Sequence, residues 1–406
     1  MRKKLLKILA FASAVLLLVL LGLTARAKWT FARNYDEVPQ LAVTADRSET
    51  GVRRGEMLFH SLCMECHGGS DGRATGKHLA EIPAFFGTFY SANLAHPERG
   101  VQRRSDEELA RTLRTGILPS GRFSFIMSMF SGLGDADVAA ILGYLRSAPP
   151  ALAPGGGAQP ASEATFAAEL LLTVSGVAVD TTGGLAAIVV PPRAPTVEYG
   201  RYMAGAMDCV GCHTDSMEKN AEKMRDPRAF AGGVEMTDPT GTAIYSKNIT
   251  FDVETGIGRF SLEDFERAVT RGVTPDGTLV RKPMPLFSRF ERVEVEALYR
   301  FLQTVPHVKQ QNRAGGHRLE KARPTDSPEQ LFVSVGCVAC HGPGAPHRDK
   351  LGPAASKTDE EVTAWILDPQ LTKPGSAMPS FRHSLDHQQA QGLARYVKSL
   401  AQVGGG

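Results

Sequence analysis

The chain has 406 residues, of which 42% are apolar and 22% charged, with a net charge of +3 at neutral pH. That length predicts roughly two to four domains, and the near balance of charge supplies no strong field toward nucleic acid or an acidic partner. With no basic stripe carrying interleaved aromatics, no nucleic-acid partner is expected.

The chain begins with a basic cluster, Met1-Arg-Lys-Lys4, followed by seventeen uncharged residues from Ile8 to Thr24. This run exceeds a typical signal-peptide core and reaches the short end of a membrane-spanning helix. The basic cluster predicts a cytoplasmic N-terminus with the rest of the chain exported. Ala25-Arg-Ala27 offers a small-x-small cleavage site. Two placements therefore stand: an inner-membrane protein held by an uncleaved anchor (residues 1–27) with its body in the periplasm, or a soluble periplasmic protein after cleavage. Residues 28–50 read as a polar tether.

One five-residue pattern then occurs three times: Cys63-Met-Glu-Cys66-His67, Cys209-Val-Gly-Cys212-His213 and Cys337-Val-Ala-Cys340-His341. Composition alone would produce about 0.002 such motifs, and the three use all six cysteines. On one helical turn, residues i and i+3 share a face. Two thiols so placed each form a thioether with a vinyl group of one haem, and the following His lies under the iron. Three covalently bound haem c groups are expected, with Cys63, Cys66, Cys209, Cys212, Cys337 and Cys340 as attachment sites and His67, His213 and His341 as iron ligands. Structural zinc would need a further ligand beside each motif, and no Cys is left. No Cys is spare for a disulfide either.

The motifs divide the exported part into three units, 51–147, 196–306 and 328–402, joined by an Ala/Pro/Gly-rich linker (148–195) and a polar one (307–327). Inside the first linker, Ala164 to Val174 is apolar enough for a packed helix. The first two units are an internal repeat. Tyr90-Ser-Ala-Asn-Leu94 matches Tyr245-Ser-Lys-Asn-Ile249. Ser105-x-x-Glu108 and Ser261-x-x-Asp264 start helices as capping boxes or near to them. Gly116 and Gly272 stop those helices, and the turns Pro119-Ser-Gly121 and Pro275-Asp-Gly277 follow. Each unit finishes with an amphipathic helix bearing an aromatic, Tyr144, Phe301 or Tyr396. Strand signals are sparse. The expected fold is all-α: three class I cytochrome c-like domains in tandem behind an N-terminal transmembrane helix. Units of this size are marginal on apolar burial, so each is expected to need its haem to fold.

The sixth iron ligand separates an electron carrier from a haem enzyme, because a Met thioether closes the iron and raises its potential. Pro283-Met284-Pro285 and Gly375-Ser-Ala-Met378-Pro379 sit just before the closing helices of units two and three. In unit one, Met127 and Met129 both compete. Met127 is preferred, since it lies eleven residues before Val138 as Met284 lies eleven before Val295. His60, His78, His96, His347 and His383 recur at no common place and read as surface or hydrogen-bonded residues. The carbonyls of Pro83, Pro239 and Pro353 are candidate acceptors for the ligand histidines, and Trp365 flanks the third haem or fills the core.

With these residues the chain resembles the three-haem cytochrome c subunits of membrane-bound bacterial alcohol and gluconate dehydrogenases. The resemblance is carried by Tyr199-Gly-Arg-Tyr202, Ile244-Tyr-Ser-Lys-Asn-Ile-Thr250, Gly256-Ile-Gly258 and Pro283-Met-Pro285. The third unit, with Trp365 and Met378-Pro379, looks like a stand-alone class I cytochrome c. The resemblance implies a non-catalytic electron carrier of a respiratory chain, passing electrons from a dehydrogenase catalytic subunit toward quinone or a terminal oxidase. The competing expectation is a peroxidase-like haem enzyme with an open iron at the first haem.

Overall fold

The structure is a computed structural model that describes residues 2–69, 72–176, 186–216, 218, 220–237, 243–276, 280, 282–313, 322–342, 348–373, 376, 378, 380–382 and 384–403. Gly277, Pro239, Gly375, Pro379, His347 and His383 therefore lie outside the described residues.

Helix α1 (Arg2–Ala32) contains a 23-residue stretch, Ala10–Ala32, long and apolar enough to cross a membrane. Unit one follows with α2 (Glu49–Leu58), a π-helical turn (Phe59–Cys63), α3 (Met64–His67), α4 (Asp106–Thr115) and α5 (Asp135–Arg146). The connecting stretch carries α6 (Phe166–Val174). Unit two contains α7 (Val197–Ala206), α8 (Cys209–His213), α9 (Asn220–Lys223), α10 (Leu262–Arg271) and α11 (Arg292–Leu302). Unit three contains α12 (Pro328–Ser334), α13 (Cys337–His341), α14 (Asp359–Leu367), α15 (Pro369–Thr372) and α16 (His387–Val403). The fold is helix-rich. Among the described residues, its sheet structure is two short antiparallel ribbons: β1 (Gly87–Thr88) with β2 (Glu163–Ala164), and β3 (Glu235–Thr237) with β4 (Ala243–Tyr245).

Local signals act as the sequence predicts. Ser105 and Ser261 each close a reciprocal capping box with Glu108 and Asp264, and Gly116 and Gly272 end their helices in the left-handed region. Ser327 with Gln330 and Thr358 with Glu361 repeat the device in unit three.

Each unit is closed by its leading helix crossing its last one. In units one and two the crossing has no room for a side chain. A Cβ on Gly55 would stand 1.9 Å from the Ala140 carbonyl oxygen, and one on Gly200 1.9 Å from that of Ala297. Unit three reverses the arrangement: Gly392 on α16 faces Pro328 on α12, where an added Cβ would meet the proline ring at 3.4 Å.

Units one and two share one continuous core, from Leu41 and Leu58 through Tyr199 and Phe230 to Val305, while unit three builds its own around Leu331, Ile366 and Leu393. The shared core has a charged centre. Asp137 and Glu294 occupy matching places in the first turns of α5 and α11 and are 2% and 0% exposed. Arg54 forks onto Asp137 with two 2.8 Å bonds and reaches Glu294 at 3.3 Å. Arg193 grips Glu294 at 2.6 and 3.0 Å, the Tyr199 hydroxyl donates to Glu294 at 3.0 Å, and the Tyr202 hydroxyl donates to Asp137 at 2.6 Å. Burial works to raise Glu294, but Arg193 and Arg54 outweigh it and hold its carboxyl below the usual range.

The two stretches read as tether and linker are packed against unit one. Tyr35, Val38, Leu41 and Val43 are buried, and Arg111 donates to the Val38 carbonyl. Asn93 donates to the carbonyls of Gly155 and Gly157, and β2 pairs with β1.

Among the described residues, Arg54 is the one side chain that bonds to both Asp137 and Glu294. Replacing it by Met strands charge in the core and is expected to lower stability by about 3–5 kcal/mol, read as a single large drop in the melting temperature of the haem-loaded protein.

Candidate haem sites

In every unit the motif occupies a short helix directly after the leading one, and the approach differs. In unit one the chain stays helical through the π-turn Phe59–Cys63, eight residues separating Gly55 from Cys63. In unit two nine residues separate Gly200 from Cys209, and Asp208 takes a left-handed conformation (φ 55°) just before the first Cys. Gly336 (φ 88°) does the same before Cys337. Burial pushes the Asp208 carboxyl up to about 6, against the pull of Asn220 and Lys223.

The residues fit a covalently attached haem. All six cysteines are free of disulfides. Burial raises the thiols, to about 12 at Cys63, Cys209 and Cys337 and about 11 at Cys66. Such a site penalises a thiolate and suits the uncharged sulfur of a thioether. Burial also lowers His67 and His213, which favours the neutral ring that ligates a metal.

The second nitrogen of each ring is fixed by backbone. His67 Nδ1 lies 2.8 Å from the Ala92 carbonyl oxygen, and His213 Nδ1 lies 2.7 Å from that of Lys247. This selects the tautomer and leaves Nε2 for an iron. It corrects the sequence expectation for Pro83. Ala92 and Lys247 are equivalent positions of the repeated Tyr-Ser-x-Asn segment, so the repeat itself contained the answer. The carbonyl of Pro353 receives the Ser356 hydroxyl at 3.1 Å. A further repeated contact ties the motif down: Gly76 and Gly232 donate to the carbonyls of His67 and His213 at 2.9 and 2.7 Å. Both glycines have positive φ, and a Cβ on either would run into the backbone of the segment holding the histidine.

The methionines divide as follows. Met127 and Met284 are partly buried against the same core as Cys63 and Cys209, and Met378 against the core of Cys337. Met129 is 43% exposed. Met127 starts a 3₁₀ segment packed on α4, without the flanking prolines of Met284. Trp365 Nε1 donates to the Met378 sulfur at 3.2 Å, a role its sequence context left open. His60, His78 and His96 have other partners: Tyr144, the Tyr90 ring, and the backbone N–H groups of Glu98 and Arg99.

Sequence reasoning missed an ion pair between units. Lys282 binds both oxygens of Glu65, inside the first motif, at 2.6 and 2.5 Å. Burial is the main influence that raises the Cys66 and Cys340 thiols, and the charges of Lys282, Glu65 and Lys77 also act on both.

His60 yields a pH prediction. Burial, then the positive Arg289, push it down to about 4 from 6.5. Between those values the unfolded chain takes up a proton that the folded chain refuses, so stability is full above pH 6.5 and falls as pH drops toward 4. In His60→Gln, the loss of melting temperature between pH 7 and pH 5 is expected to be smaller than in the parent protein.

Residues 50–145 and 323–397 match the family model described as cytochrome c oxidase, cbb3-type, subunit III. The chain is 39% identical over 121 residues to the cytochrome c subunit of the quinone alcohol dehydrogenase of Gluconobacter oxydans, covering 29% of this chain and 23% of that protein. It is 39% identical over 120 residues to the gluconate 2-dehydrogenase cytochrome c subunit of Pantoea cypripedii, covering 29% and 25%. It is 36% identical over 112 residues to the fructose dehydrogenase cytochrome subunit of Gluconobacter japonicus, covering 27% and 21%. The chain thus spans a quarter or less of the length of these relatives. Two segments of the chain thus match a c-type cytochrome domain model, and the chain is similar to the cytochrome c subunits of bacterial quinone alcohol, gluconate and fructose dehydrogenases.

Proposed function

We propose that this protein is a three-haem electron-transfer subunit, held to the bacterial inner membrane by α1 with its haem units in the periplasm. It takes electrons from a dehydrogenase catalytic subunit and passes them toward quinone or a terminal oxidase of a respiratory chain. Its haems are attached through Cys63/Cys66, Cys209/Cys212 and Cys337/Cys340, with His67/Met127, His213/Met284 and His341/Met378 as axial pairs.

The observation that supports this reading is that Met127 and Met284 pack on the core shared by the first two motifs, and Met378 on the core of the third. Bound haem supplies one-electron redox chemistry at each site. The chain's own residues orient the ligand imidazoles of His67 and His213 through the Ala92 and Lys247 carbonyls and exclude water with the aromatic core, and Met127, Met284 and Met378 would supply thioethers to the irons.

Retention of α1 is supported by its far end. Ala27, the last residue before the potential cleavage site, is fully buried. Cleavage after Ala27 would discard part of this packing. The dehydrogenase partner is supported by the names of the relatives.

The pyridine haemochrome of the purified protein is expected to give three haems per chain; two or fewer would sink the assignment. Carbon monoxide should leave the reduced spectrum unchanged. Stoichiometric binding at one haem, removed by Cys63→Ser, would establish the enzyme reading instead. A dehydrogenase catalytic subunit should co-purify from detergent-solubilised membranes.

Trp365→Phe removes a donor to the Met378 sulfur and makes that sulfur a stronger electron donor to iron. One of the three potentials should fall by roughly 20–40 mV, equivalent to a hydrogen bond of about 0.5–1 kcal/mol. Spectroelectrochemical titration should show the other two unmoved.

A further inference from the structure

We infer that α6 is a second membrane contact: a short helix lying on the bilayer surface beside the anchor, with its exposed apolar face among the lipids. The inference rests on α1 being retained as a membrane helix.

Helix α6 is apolar on both sides. Ala168 and Leu172 are buried, and α6 packs against α1. At 100° per residue, Phe166, Leu170, Val174, Ala167 and Leu171 fall within an arc of about 140° on the other side. Phe166, Leu171 and Val174 are between 36% and 61% exposed. Phe85, 53% exposed, adjoins the start of the helix, where the Thr165 hydroxyl donates to its carbonyl at 2.6 Å. A face of this kind on a soluble surface needs a cover.

Its position says what the cover is. Lys28 Nζ lies 2.6 Å from Glu169 and 5.3 Å from the centre of the Phe166 ring. The uncharged run of α1 ends at Thr24, four residues earlier, which is about 6 Å along a helix. The polar layer of a bilayer is roughly 5–8 Å thick on each side of the hydrocarbon. Phe166 therefore stands at the depth of the headgroups, where an amphipathic helix buries its apolar side. The Lys28–Glu169 pair cancels the one acidic charge of α6. Trp29, 59% exposed on α1, adds an aromatic at the same level.

The two contacts would fix the tilt of the haem units over the membrane. A single helix leaves the body free to rotate about its axis; a second point of contact removes that freedom.

The test uses the full-length, haem-loaded protein in vesicles of phosphatidylethanolamine and phosphatidylglycerol, doped with a phospholipid carrying a diazirine near the head of its acyl chain. After illumination, mass spectrometry maps the labelled peptides. Label is expected in α1 and in residues 166–174. In the doubly substituted Leu171→Glu, Val174→Glu protein the second label should be lost and the first kept. Label confined to α1, or unchanged by the substitutions, overturns the inference while the anchor stands; such a face would then serve a protein partner. Absence of label from α1 overturns the anchor reading, and the inference with it.

Discussion

Two buried carboxylates sit where the first two units meet, and the arrangement of the molecule depends on keeping them paired. A carboxylate without partners in such a place would cost several kcal/mol. Asp137 and Glu294 are therefore surrounded by Arg54, Arg193, Tyr199 and Tyr202. The partners are drawn from both repeats and from the stretch between them. Tyr199 serves the carboxylate of its own unit, as Arg54 does in unit one, while Tyr202 serves that of the other. The interface is fixed in register, because sliding one unit against the other would break bonds to buried charges on both sides.

The repeats also show how one fold accepts different neighbours at the same place. Ile117 and Val273 follow the Gly that ends α4 and α10. Ile117 is covered by Tyr35 and Val38 from the stretch after α1, whereas Val273 is buried in the core of unit three. Arg111 donates to the Val38 carbonyl, and its counterpart Arg267 lines a cleft with Asp368, Ser380 and Arg382 of unit three. The chain after α1 thus fills on unit one the place that unit three takes on unit two. Asn93 and Asn248 show a second equivalence. Each donates to carbonyls of the chain leaving its unit, Gly155 and Gly157 in one case and Val308 in the other. Two conserved-in-place side chains therefore bind segments with no sequence likeness, because what they recognise is a carbonyl.

That distinction also sets what could be read from the sequence. The haem motifs, capping boxes and terminating glycines were legible, since in each the side chain or its absence performs the function. The acceptors of His67 and His213 were not, because a backbone carbonyl leaves no trace in residue type. Only the alignment of Ala92 with Lys247 within the repeat marked them. The stretch from Ala148 to Pro195 read as a linker with one packed helix, from Ala164 to Val174, for a related reason. Gly155 and Gly157 bind Asn93 through their backbone carbonyls, and Glu163 and Ala164 pair with β1 through their backbone. The pairing of Lys282 with Glu65 joins residues far apart in sequence, which no periodicity encodes.

That pair bears on how electrons move among the proposed haems. Glu65 lies between the two cysteines of the first motif, and Lys282 lies two residues before Met284. The same charges act on Cys340 of the third motif. On the proposed assignment, one ion pair thus joins the attachment turn of the first haem to the loop that carries Met284. An ion pair suits this junction, since it holds two turns in place while adding no net charge to bias one haem against another.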